Sequence, residues 1–197
     1  MSPNLKAFLD QQRIVCTTMK HPVAYTAQEI AAAQHVPGKQ LAKCVLVKTN
    51  HGVRLAVLPA VYRVDFTKLR KLLNATSLSL ASEADIQHAF PGVEVGAMSM
   101  FGNLYSVPVV VDKSLAESVD VVCNAGTHSE TIKLRYRDFE RAVKPKVGAF
   151  LAAQPAASKS KPKSTPKKNA TAKKKKAKRP ARRSPPRHAK KAARAKR

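Results

Sequence analysis

Three short stretches place reactive residue types where a backbone could present them. In the first, Lys43 stands at the entry to the apolar run Cys44, Val45, Leu46 and Val47, with Gly38 ahead of it and Lys48 at the exit. A lysine at the mouth of a buried strand either snorkels to water along its own stem or aims its ammonium into a cleft. The second stretch reads G-A-M-S-M-F-G from Gly96 through Ala97, Met98, Ser99, Met100 and Phe101 to Gly102. Glycines at both ends let the backbone turn tightly and present amides that could hold a carbonyl or an oxyanion. The same stretch also reads as a plain connection with Met98, Met100 and Phe101 tucked into the core. The third is Gly126-Thr127-His128, after a predicted strand, at a strand-end loop where sites tend to sit.

Other chemistries find no support. There is no G-x-S-x-G, H-E-x-x-H, Walker A loop or Rossmann fingerprint. His21, His35, His51, His88, His128 and His188 are scattered without metal-ligand spacing. Cys16, Cys44 and Cys123 form no C-x-x-C pair and lie in apolar runs, which predicts buried free thiols in a reducing compartment and no structural zinc. No metal and no cofactor is expected. No run approaches the ~18 apolar residues of a membrane span, and the amino-terminal residues lack a signal-peptide core. The expectation is a cytoplasmic protein with no membrane partner.

The elements that must position these stretches follow from periodicity and caps. A short amphipathic helix is predicted over 4–12 with Leu5, Phe8 and Leu9 on one face, then a strand over 14–19. Thr26 with Glu29 is a capping box opening a helix over 27–34, and Tyr25 before it is either a staple residue or a pocket wall. The Lys43 strand and residues 53–59 make a hairpin across Asn50-His51-Gly52. Asp65 caps a helix over 66–73 with Phe66, Leu69, Leu72 and Leu73 as its apolar stripe, and Ser82 with Asp85 caps another over 83–90. Strands are expected over 77–80, 106–111, 119–123 and 131–136, and Asp138 is expected to cap a last helix through Val143. Short helices among five to seven strands, at least two in a hairpin, predict an α+β domain. Its mixed, largely antiparallel sheet would be flanked by short helices.

Charge divides the chain. Of 37 Lys and Arg, 19 fall in residues 152–197, which hold no Asp or Glu. The remaining residues carry 18 basic and 12 acidic side chains. The reading is a mildly basic domain over 1–151 and a Lys/Ala/Pro-rich tail over 152–197 that resembles linker-histone tails. The tail cannot bury enough apolar area to offset its chain entropy and is expected to be disordered. It should bind RNA or DNA without sequence preference, through phosphate neutralisation.

Four stretches in order, T-A-Q-E-I-A-A-A, L-A-K-C-V-L-V-K, G-A-M-S-M-F-G-N-L-Y and N-A-G-T-H-S-E-T-I-K-L-R-Y, resemble the YbaK/ProX family over residues 3–150. That family comprises free-standing relatives of the editing domain inserted in bacterial prolyl-tRNA synthetase. The resemblance implies its fold and a trans-acting aminoacyl-tRNA deacylase. Such an enzyme hydrolyses the ester of a misacylated tRNA of the tRNAPro type, with water attacking and no metal. It implies that Lys43 positions the terminal phosphate or ribose and that the amides of residues 96–100 face the scissile carbonyl. It implies further that Gly126, Thr127 and His128 bound the amino-acid pocket, and it matches Tyr25 and Thr26 to pocket positions. The family loop carries proline around the positions of Ser99 and Met100. Its loss means either a pocket reshaped for another amino acid or a less preorganised loop with weak activity. Aminoacyl-tRNA is the expected partner and a monomer the expected state. The alternative is a nucleic-acid-binding or nucleoid-associated protein on an inactive editing scaffold, and a third reading is a sensor of aminoacyl-tRNA or free amino acid.

Overall fold

The computed structural model describes residues 1–153. The expected disorder and nucleic-acid affinity of the tail therefore lie outside the described residues from 154 onward. Ala152 donates its N–H to Arg63 O at 2.8 Å, so ordered pairing runs one residue past the expected boundary at 151.

Among the described residues eight strands form two sheets. The smaller has the order β1 (Cys16–Lys20), β7 (Glu130–Arg135), β6 (Asp120–Thr127) and is antiparallel throughout. The larger has the order β4 (Leu78–Leu80), β2 (Ala42–Thr49), β3 (Gly52–Pro59), β5 (Val109–Asp112), β8 (Lys146–Gly148). In it β2 pairs antiparallel with β3 and β4, while β3–β5 and β5–β8 are parallel. The mixed α+β class is therefore as expected, but one sheet has become two. They meet at a single parallel bridge, Leu41 with Val122, beside a 2.9 Å bond from Val122 N–H to Gln40 O.

Alternation explains the larger sheet. Leu55 and Val57 of β3, with Val109 and Val111 of β5, face the main core, while Ala56, Leu58 and Val110 face a second core with Leu69 and Phe150. A third, smaller cluster of Ala24, Ile30, Leu41, Ala60 and Val122 fills the junction of the two sheets.

The caps are where the side chains predicted them. Thr26 and Glu29 close the box of α2 (Ala27–Ala33), and Asp65 accepts from Thr67 N and Lys68 N to start α3 (Phe66–Leu72). Ser82 and Asp85 close the box of α4 (Glu83–Ala89), and α1 is Pro3–Gln11. Several details differ, and β8 was not among the expected strands. The strand expected over 106–111 begins only at Val109, because Gly102–Tyr105 winds into a 3-10 turn that ends with Ser106 left-handed at φ 56°. Asp112 then caps an unforeseen helix α5 (Lys113–Ala116). The last helix α6 (Tyr136–Val143) starts two residues before Asp138, which sits in its first turn and pairs with Arg141 at 2.9 Å. Phe66 is the first residue of α3 and is exposed, so Leu69, with the partly buried Leu72 and Leu73, carries that stripe.

Candidate active site

The junction between the sheets is a natural place for a cleft, since two edges meet there without a full ladder. A cavity of about 150 Å³ opens at it, lined by Tyr25, Ala27, Ile30, Leu41, Ala42, Lys43, Cys44, Gly96 and Asn124. Lys43 is the second residue of β2 and is half-buried. Its Nζ donates to the carbonyl of Ala60 at 3.3 Å and has no carboxylate partner among the described residues. Burial, and after it the charge of Arg63, holds the Lys43 ammonium below its ordinary pKa of 10.5.

Opposite Lys43, β6 bulges between Asn124 and Thr127, with Gly126 at φ +95°. A larger residue would be strained there, and its Cβ would lie 3.1 Å from the Ser2 side chain, which would have to give way. The bulge swings His128 back against the loop that carries Gly96. The His128 amide donates to the Glu94 carboxylate at 2.7 Å, and its Nε2 lies 2.9 Å from Val95 O. A carbonyl can only accept, so Nε2 carries a proton, and in the neutral ring Nδ1 is then a lone pair. That Nδ1 is buried and has no partner among the described residues. The imidazole also backs Gly96, where a Cβ would come within 3.4 Å of Cε1 and where φ is +90°. Tyr25, largely exposed, tilts over the same imidazole at 4.7 Å between centroids. Asn124 Nδ2 donates to Gly96 O at 3.4 Å, while its Oδ1 is enclosed and unpartnered among the described residues, as is Thr127 Oγ1.

The structure thus brings Lys43, Gly96 and Tyr25 onto one cavity and sets His128 behind its wall. Thr26 stands beside it with its hydroxyl engaged as the cap of α2, accepting from Glu29 N at 3.2 Å. The remaining loop residues point elsewhere. Ala97, Met98, Ser99, Met100 and Phe101 are buried; Met98, Met100 and Phe101 pack in the main core, and the Met100 backbone hydrogen-bonds the Cys123 thiol. Ala97 N–H is spent on Glu94 O at 2.9 Å, but the amides of Gly96, Met98 and Ser99 find no backbone acceptor among the described residues. The sequence reading missed Ala27, Ile30, Leu41, Ala42, Cys44 and Asn124 as wall residues. Asn124 was the one within reach, as it opens the N-A-G-T-H stretch on the inward-turning end of a strand.

No group of three or more His, Cys, Asp or Glu that could hold a metal exists among the described residues. The three cysteines are free. No helix among the described residues is long and apolar enough to cross a membrane.

The family profile described as "Aminoacyl-tRNA editing domain" matches residues 21–142, a span that includes the whole cavity. The chain belongs to the aminoacyl-tRNA editing domain family. Among curated relatives of this editing family, the "Prolyl-tRNA editing protein ProX" of Acetoanaerobium sticklandii is 29% identical over 154 residues, covering 75% of this chain and 93% of that one. A "Proline--tRNA ligase" of Fervidobacterium nodosum is 31% identical over 91 residues, which is 46% of this chain but 16% of the ligase. Solved structures share the fold. The hypothetical protein APE2540 superposes with a TM-score of 0.69 at 18% identity, covering 76% of this chain and 99% of its own. A structure presented as a candidate trans-editing enzyme for prolyl tRNA synthetase gives 0.68 at 18% identity, over 78% and 99%.

Proposed function

We propose that this protein is a trans-acting aminoacyl-tRNA deacylase that hydrolyses the ester joining a wrong amino acid to the terminal ribose of a tRNA of the tRNAPro type. The observation that carries the reading is the cavity at the sheet junction, where an ammonium, a glycine turn with a free amide and an apolar wall converge. A cavity of this size takes a small organic group about as large as benzene. Its walls of Ala27, Ile30, Leu41 and Ala42 suit a short apolar side chain. That is the class of misfit a synthetase rejects poorly by binding alone, so that a second site must clear the product.

In this reading a water oxygen adds to the ester carbonyl carbon, and the carbon–oxygen bond to the ribose then breaks. The ribose oxygen takes up a proton, and the products are a free amino acid and a tRNA with an intact 3′ end. Negative charge develops on the carbonyl oxygen. Lys43 and the Gly96 amide are the positive groups available to it, fixed in place before the reaction. Lys43 is an electrostatic and positioning group and forms no covalent bond. His128 is assigned a positioning role. Its Nε2–H on Val95 O and its ring behind Gly96 brace the turn, and it does not line the cavity. The packing of Met100 in the core favours a loop held by its buried side chains in place of the lost prolines. The basic residues beyond 153 would add salt-sensitive affinity for the RNA backbone.

The test is deacylation of tRNAPro charged separately with alanine, cysteine, serine and proline. It uses the full chain, Lys43→Ala, and a chain ending at Ala153, which keeps the Ala152–Arg63 bond. Turnover of one misacylated species that disappears in Lys43→Ala is the expected result. A folded protein that clears none of the four would count against the assignment and for the nucleic-acid-binding scaffold.

A further inference from the structure

The Gly96 amide can serve the cavity only if something fixes where it points. Ala97 N–H donates to Glu94 O at 2.9 Å and closes a turn with Val95 and Gly96 at its centre. Gly96 takes φ +90° as the third residue of that turn, and Val95 has no positive φ, so the turn is of type II. A type I turn of the same residues differs by a flip of the Val95–Gly96 peptide. In a trans peptide the C=O and the following N–H point in opposite directions. Val95 O is taken by His128 Nε2–H at 2.9 Å, from a ring that does not line the cavity. The Gly96 N–H of the same peptide is thereby turned the other way, to the side on which Gly96 lines the cavity. A flip would put the Val95 carbonyl there instead, and a carbonyl repels a developing oxyanion.

The turn and the His128 backbone are joined by Glu94. The His128 N–H donates to its carboxylate at 2.7 Å. The other links between turn and bulge are longer: Glu94 N–H to Gly126 O and Gly126 N–H to Ala97 O at 3.2 Å, and Asn124 Nδ2 to Gly96 O at 3.4 Å. A carboxylate acceptor at the shortest distance makes the strongest bond of the set. Glu29, Asp65 and Asp85 spend their carboxylates on amides within four residues, at helix starts. Among the described residues only Asp112 and Glu94 reach a distant amide, 38 and 34 residues away. Asp112 is buried and anchors the last strand. Glu94 is exposed, forms no ion pair among the described residues, and meets an amide at which no helix starts. An exposed bond adds little to global stability, so capping and packing do not explain it.

We infer that Glu94 is a further positioning residue of the hydrolysis. Together with His128 it locks the Val95–Gly96 peptide in the form that shows its N–H to the cavity. The oxyanion donor is then set before the substrate arrives. Glu94 itself does not line the cavity and touches no reacting atom. The catalytic consequence rests on the deacylase reading; the locked peptide does not.

The experiment compares wild type, Glu94→Gln and Glu94→Ala in the full chain. It measures kcat and KM on misacylated tRNAPro, the order of the Gly96 amide by NMR relaxation, and the melting temperature. Glu94→Ala should lower kcat about tenfold, the effect of losing one charge-assisted bond, with KM within about twofold. Its melting temperature should stay unchanged, and the Gly96 amide should lose order. The Gln side-chain oxygen can accept the same N–H, so Glu94→Gln should restore most of kcat and all of the order. Wild-type kcat in Glu94→Ala overturns the positioning role, as does a loss confined to KM or to the melting temperature. A Gly96 amide equally ordered in all three proteins overturns the lock. Equal damage in Glu94→Gln and Glu94→Ala overturns the assignment to the His128 bond. If the wild type clears no charged tRNA while the Gly96 amide loses order in Glu94→Ala alone, the lock stands and only the deacylase reading is removed.

Discussion

Among the places where this domain buries polar side chains, two treat them in opposite ways. At the end of β5, Asp112 is 2% exposed and its carboxylate is fully engaged. One oxygen accepts from Ser114 N at 2.9 Å and Ser114 Oγ at 2.6 Å, the other from Phe150 N at 2.8 Å. At the junction of the sheets, Asn124 Oδ1, Thr127 Oγ1 and His128 Nδ1 are enclosed without partners among the described residues, and there the Lys43 amine has only a 3.3 Å carbonyl. An unmet buried polar atom costs about 1–3 kcal/mol. The fold bears that cost at one site and avoids it at the other. The first region serves stability, holding the last strand and Phe150 to the sheet. In the second, Lys43 and Asn124 lie on the cavity wall, where a ligand could supply the partners the fold does not.

The contrast predicts opposite phenotypes. The largest effect should be on catalysis, from Lys43→Met, which keeps the apolar stem and removes the charge. Losing one preorganised positive group costs about 10²–10³ in rate. The melting temperature should hold or rise, because a half-buried charge is gone. Single-turnover deacylation with a parallel melt checks both, and a variant that turns over normally would end the electrostatic role. Asp112→Ala should do the reverse. It leaves the Phe150 amide unmet and α5 uncapped, for a loss of about 2–4 kcal/mol in urea melts. Activity per folded molecule should be retained, and a selective loss of rate would dissolve the division between the two regions.

pH offers a gentler probe. Since the Lys43 pKa is lowered, the folded chain loses this proton below 10.5 while the unfolded chain still holds it. Enzymatic rate, after subtracting spontaneous ester hydrolysis, should decline as pH rises through that lowered value. Stability should climb over the same window, because the unfolded state binds the extra proton there. Both slopes should vanish in Lys43→Met. The smallest effect is expected at the cap beside the cavity. Thr26→Ala should cost about 1 kcal/mol and Thr26→Ser much less, with activity following the helix content of α2 by circular dichroism. An unchanged melt would mean that the capping box is not what holds α2 at the cavity wall.

Local chemistry made much of the fold legible. Thr26 with Glu29, Ser82 with Asp85, and Asp65 each announce a helix start because their side chains satisfy amides a few residues away. The hairpin at Asn50-Gly52 is equally local. What stayed hidden depends on distant packing. Nothing near Val122 says that it meets Leu41, so the split into two sheets could not be read. Ser106 in a left-handed conformation and the four-residue helix after Asp112 carry too little periodic signal to stand out. In the site, Lys43 and Gly126-Thr127-His128 were visible as residue types in telling positions. The direction of Met98, Met100 and Phe101 was not, because an apolar residue in a glycine-bounded loop can face a ligand or the core with the same sequence. Asn124 acquires meaning only from what the fold sets across from it.

Cys44 adjoins Lys43 in the cavity wall, and burial pushes its thiol well above the ordinary range, with the neighbouring Cys123 adding to the effect. At neutral pH it is therefore a thiol that reagents selective for thiolates pass by. Cys44 is only partly buried and lines the cavity, so its slow alkylation reflects the shortage of thiolate, and the labelling rate becomes a clock for access to the cavity. A ligand that fills the cavity should slow the clock, giving the protein a built-in reporter of occupancy that needs neither turnover nor an added dye.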